Sequence, residues 1–349
     1  MAVLGQFIKR TIKTLALGTL LTLAAVAQAE TEVIVVNAQT PAWEEHIERY
    51  IQRANRFLAP AFTGLPSSVR IVRTFRAPEY DLSSGVILID QNYTPVELYH
   101  EYAHKVLDHL LLQRSEAVQY YHLRRTLHGK DLQVALDDLK DELSDDRLYL
   151  QELKSNGYQK MVNNLSRSIG WNEQLMDRLQ QAQGQHLRFN HMYPHYNGET
   201  GKPSLYRLIA PYHELFADTL ATLMTGQWDS IYWAQNHRLQ QGEEQLAFMR
   251  LHPEMSQQQF LAYRRFQREL DLRHYQFKAE EWDSPYTQFA PARSHIRTLA
   301  ETAYRDQPAQ LLYNLADAII VEIDGRLAGN ESYQLTLMEK NRQLIKRLR

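Results

Sequence analysis

The chain has 349 residues, 44% of them hydrophobic and 23% charged, with only 14 Gly and 12 Pro, which excludes a disordered, fibrous or collagen-like protein. Lys and Arg number 39 against 41 Asp and Glu, so the net charge of -2 offers no cationic footprint for a nucleic-acid backbone or an anionic membrane surface. With zero cysteines there are no disulfides, thiolate zinc sites, iron–sulfur clusters or cysteine nucleophile, and only His, Asp and Glu remain to hold a metal.

Lys9, Arg10 and Lys13 precede an apolar run from Leu15 to Ala27 that ends in Ala27-Gln28-Ala29, the pattern of a secretory signal peptide over residues 1–29. The run is well short of the ~20 residues that span a bilayer, so cleavage after Ala29 is expected, with an uncleaved signal anchor as the alternative. The product would be a mildly acidic periplasmic or secreted protein with no stable membrane span.

Residues 30–112 read as an α/β subdomain. Val33 to Val36 form a first strand, and Thr40-Pro41 start a helix through Leu58 with cap and proline in preferred places. Val69 to Val72 and Val86 to Ile89 are two further short strands. Thr94-Pro95-Val96-Glu97 is a capping box that launches a helix to about Leu112.

Residues 113–190 read as a helical insertion. Leu132, Leu136, Leu139, Leu143, Leu150 and Leu153 recur at helical spacing, Asn156-Gly157 breaks the pattern, and Val162, Leu165, Ile169, Met176 and Leu179 resume it. An antiparallel helical hairpin over 131–182 follows, expected to be self-contained. Its charged outer faces are read as solvated surface, a protein partner there being the alternative. In the region 191–227 a Tyr/His/Gly-rich loop leads to a helix from Ser204 to Met224. Residues 228–349 are helical again, with segments near Met255–Leu272, Ala292–Tyr304, Pro308–Ile323 and Glu331–Leu348. The expected class is α+β, predominantly helical, with a small mixed sheet.

The Thr94 helix carries His100-Glu101-Tyr102-Ala103-His104, a His-Glu-x-x-His pattern that puts two imidazoles on one helix face, able to grip one zinc ion. Glu101 then lies beside the metal, placed to take a proton from a water that zinc has acidified. The later helix carries Tyr212-His213-Glu214-Leu215-Phe216-Ala217-Asp218, with Glu214 and Asp218 one turn apart.

Together these two segments resemble the thermolysin-like, or gluzincin, zinc metallopeptidases, over about 40 residues. The resemblance implies one zinc per chain held by His100, His104 and Glu214, with Glu101 as general base and Asp218 supporting His100. Two imidazoles and one carboxylate leave a position open for water, as in catalytic sites, and a carboxylate behind a ligating His fixes its tautomer. Lys105, and the 110 positions between His104 and Glu214, depart from the usual pattern. His213 competes with Glu214 as third ligand, but only Glu214 has an aspartate one turn later.

The resemblance also implies an oxyanion donor, for which His295 is favoured over Arg293, His191, Tyr193 and His195, and a substrate-pairing edge strand, expected to be the one ending at Ile89. The expected function is therefore an exported endopeptidase acting on peptide or protein substrates. The alternatives are a non-catalytic zinc-stabilised binding or scaffold protein and a metal-dependent hydrolase of a non-peptide amide. No phosphate-binding Gly-x-x-x-x-Gly-Lys loop or Gly-x-Ser-x-Gly nucleophile elbow is present.

Overall fold

The computed structural model describes residues 31–74, 78–81, 85–115, 118, 126–127, 129–181, 187–188, 205–239, 261–273, 275, 284–327 and 335–348. The expected signal peptide and the loop bearing His191, Tyr193 and His195 lie outside the described residues. The fold is mostly helical with one small mixed sheet, an α+β arrangement.

Strand β1 (Glu32–Val36), helix α1 (Pro41–Leu58) and strand β2 (Ser68–Arg73) form a crossover that makes β1 and β2 parallel, Val33 facing Val69 and Val35 facing Ile71. Thr40 caps α1 by accepting from the Trp43 N–H at 3.2 Å. Strand β4 (Val86–Ile89) extends the parallel pairing on the far side of β2. The three-residue strand β3 (Glu79–Asp81) then adds antiparallel to β4, Tyr80 opposite Ile87, giving the order β1-β2-β4-β3. The strand ending at Ile89 is therefore internal, and the edge next to the site is β3, a strand too short to leave a period-2 signature.

Helix α2 (Pro95–Arg114) begins at the Thr94 capping box: the Glu97 N–H donates to Thr94 Oγ1 at 3.3 Å and the Thr94 N–H donates to the Glu97 carboxylate at 2.7 Å. From Glu97 to Leu111 it is buried almost throughout, against α1, β3 and β4 and, most extensively, α5 (Leu205–Thr225). Between them in the sequence come β5 (Thr126–Leu127), α3 (Gly129–Ser155), α4 (Gln159–Gln181) and β6 (Leu187–Arg188), with β5 and β6 pairing antiparallel.

Helices α3 and α4 pack side by side, joined through Gly157, whose φ of +75° is the left-handed conformation that ends a helix. They are not self-contained. Leu136, Leu139, Leu143, Leu153, Met161, Val162, Leu165 and Ile169 belong to the same buried core as the sheet, and α4 packs along β1. Burying that stripe requires a second surface, and β1 supplies it.

Helix α6 (Ser230–Leu239) follows α5 and docks on α2 through Arg238, which bonds Glu97 and, at 2.9 Å, Asp90. Helices α7 (Ala290–Glu301) and α8 (Pro308–Leu327) pack on α5, and α9 (Leu337–Arg347) packs on both of them. The helix expected over 255–272 ends early: its described part turns out of helix at Tyr263, with Arg264 N–H bonded to Leu261 O. Arg264 lies in that turn and is buried, 4% exposed. Among the described residues no helix is long and apolar enough to cross a membrane.

Candidate metal centre

The spacing of four residues on α2 places His100 and His104 one turn apart, their rings edge-to-face with centroids 4.6 Å apart. Packing α5 against α2 brings Glu214 between them. His100 Nε2 and His104 Nε2 are 3.1 Å apart, His100 Nε2 is 3.4 Å from Glu214 Oε2, and His104 Nε2 is 3.7 Å from Glu214 Oε1. Two donors about 2.05 Å from one tetrahedral ion lie roughly 3.3 Å apart, so these separations suit a single small cation held by two nitrogens and one carboxylate, each of whose oxygens faces one imidazole. Glu101 offers a carboxylate oxygen within 4.8 Å of the two histidine donors.

Asp218, one turn beyond Glu214 and wholly buried, lies behind His100, with Oδ1 3.2 Å from Nδ1. Two arginines hold it. Arg264 donates to Asp218 Oδ1 at 2.6 Å and to Glu214 Oε2 at 3.1 Å, and Arg293 donates to Asp218 Oδ2 at 2.5 and 3.1 Å. Neither arginine was expected in this role. Arg264 comes from the turn at 263–265 and Arg293 from α7, and no local pattern marks a cation that meets its partner across the fold.

His213 is buried and packs behind His104, its Nδ1 3.3 Å from His104 Nδ1. It faces the nitrogen of His104 that points away from His100 and Glu214, so Glu214, not His213, joins the converging donors. His295, two positions after Arg293 on α7 and so roughly 200° round the helix, does not share the face that reaches Asp218.

Burial opposes charge on His100, but Asp218 and Glu214 outweigh it and raise the imidazole to about 10. Burial, reinforced by the charge of His100, lowers His104 to about 3. Asp218 and Glu214 thus favour positive charge on His100, while His104 is kept neutral. Burial raises Glu101 to about 7, with His100 and the Tyr80 backbone N–H opposing it and Glu214 adding to it. Asp218 would also be raised by burial, yet Arg264 and Arg293 hold it well below the ordinary carboxylate range.

Beside these groups, Tyr80 on the edge strand stacks on His104 with ring centroids 6.2 Å apart and donates its hydroxyl to the buried Asp108 at 2.5 Å. The strand edge, His104 and Asp108 are thereby held in one place. Compared with protein-family models, curated proteins and solved structures, the chain matches none.

Proposed function

We propose that this protein is an exported zinc-dependent endopeptidase in which His100, His104 and Glu214 hold the metal and Glu101 is the general base. The observation that carries the reading is the convergence of both Nε2 atoms with the Glu214 carboxylate at 3.1 to 3.7 Å, across more than 100 residues of sequence. Two imidazoles and one carboxylate suit zinc and leave room for a water, the composition of a catalytic rather than a structural site. Zinc, when bound there, supplies a Lewis acid that acidifies water and polarises a carbonyl.

Glu101, buried beside the two imidazoles, takes the proton of the attacking water and returns it to the leaving amine. Asp218, itself fixed by Arg264 and Arg293, holds the His100 ring so that Nε2 faces inward. Strand β3 lies at the sheet edge beside Glu101 and His104, where an extended peptide adds as a further strand. The signal-peptide pattern of residues 1–29 supports export.

The test combines metal content with proteolysis. The mature chain is expected to bind about one zinc and to cleave an unfolded protein such as casein in a chelator-sensitive way. Glu101→Gln should retain the zinc and lose about 10²- to 10⁴-fold in turnover. Wild-type turnover in Glu101→Gln would end the peptidase mechanism. Zinc bound with no hydrolysis of any peptide or amide tested would leave the zinc-stabilised scaffold as the better reading.

A further inference from the structure

We propose that His213 is a positioning residue for His104: a neutral imidazole that accepts a hydrogen bond from the rear nitrogen of this metal-binding histidine, in the place a carboxylate occupies behind His100. The inference rests on the zinc reading above and adds to it the hydrogen-bonding role of a residue outside the ligand set.

The stretch of α5 from His213 to Asp218 backs both histidines of α2. Asp218 Oδ1 lies 3.2 Å from His100 Nδ1, and His213 Nδ1 lies 3.3 Å from His104 Nδ1, with the two rings near-parallel at 24° and centroids 5.5 Å apart. A nitrogen-to-nitrogen contact needs one donor and one acceptor. His104 presents Nε2 toward His100 and Glu214, so when Nε2 binds zinc its lone pair is used there and Nδ1 carries the proton. His213 must then accept at Nδ1 and carry its own proton on Nε2. The two supports differ in charge: His100 is backed by an anion and His104 by a neutral ring, so the two imidazoles are not equivalent donors. His213 is 1% exposed, which keeps water from replacing it as acceptor.

Zinc affinity, measured by competition with a chromogenic chelator, separates this role from packing. Asn places an amide oxygen close to the position of Nδ1, whereas Leu has similar bulk and no acceptor. His213→Leu should lose about 10- to 100-fold in zinc affinity and His213→Asn should recover to within about threefold of wild type. Equal affinities for wild type and His213→Leu, or equal losses in both variants, would overturn the proposal while leaving the zinc site standing. A wild-type chain that takes up no zinc would overturn the metal reading and this inference with it. Because both substitutions are in a packed interior, a second measurement uses the unsubstituted protein: long-range proton–nitrogen correlation of the zinc-loaded chain should show His213 protonated at Nε2 alone, and protonation at its Nδ1 would refute the assignment.

Discussion

Helix α2 is buried on nearly every side between Glu97 and Leu111, whereas the hairpin of α3 and α4 buries one stripe and exposes charges such as Arg147 and Glu173 on the other. The hairpin solves a simple problem, covering part of a core with Leu, Val and Ile. Helix α2 takes His100, Glu101, His104 and Asp108 into the interior as well, and each buried polar group there needs a partner supplied by another element. These polar groups lie where water is excluded and fields are strong, at the cost of a network that tolerates little loss.

The largest expected effect breaks that network. Asp218→Ala leaves Arg264 and Arg293 buried without their shared carboxylate, and removing one partner of a buried ion pair costs about 3–5 kcal/mol. Denaturant unfolding measures it, and a loss below about 1 kcal/mol would mean that the arginines reach water and that the site is not the closed network described. Next comes the hairpin's own stripe. Leu165→Ala empties a position 1% exposed in the common core and should cost about 2–4 kcal/mol in a single cooperative transition. A separate unfolding step for the hairpin would show it to be an independent unit after all.

A smaller effect depends on pH. Burial raises Asp108 from 3.8 to about 6, the Tyr80 hydroxyl and Lys105 opposing it. The folded chain therefore holds this proton more tightly than the unfolded chain, and wild-type stability from this group falls as pH rises from about 4 through 6. Asp108→Asn cannot ionise and keeps an acceptor for Tyr80. It should match wild type near pH 3.5 and exceed it at pH 8 by on the order of 2 kcal/mol; a difference that stays constant with pH would sink this account. The smallest effect lies on the hairpin surface. Arg147 and Glu173, 2.7 Å apart but about half exposed, form a bridge whose removal in Arg147→Ala should change stability by no more than about 0.5 kcal/mol, and a loss above 2 kcal/mol would show that this face is not simply solvated.

Features that depend on neighbours in sequence were legible before the structure. The Thr94 capping box, the helix-ending Gly157, the leucine stripe of α3 and the four-residue step from His100 to His104 all express a period of 3.6 or a cap, which a handful of adjacent residues encode. Strand β3 was not legible, because three residues are too few to show alternation. Helix α6 was missed as well: Ser230–Leu239 has no clear apolar stripe and is held in place by Arg238 reaching Glu97 and Asp90.

By itself the sequence determined that two imidazoles share a helix face with a glutamate between them, and that a second helix offers two carboxylates one turn apart. Only the tertiary structure decided that these faces meet, that Arg264 and Arg293 converge on Asp218 from 46 and 75 residues away, and that His213 stands behind His104 across 109 residues. The physical reason is range. Helical periodicity and capping act over one turn, but a buried charge or a ring nitrogen is satisfied by whichever group packing delivers, and packing is a property of the whole core.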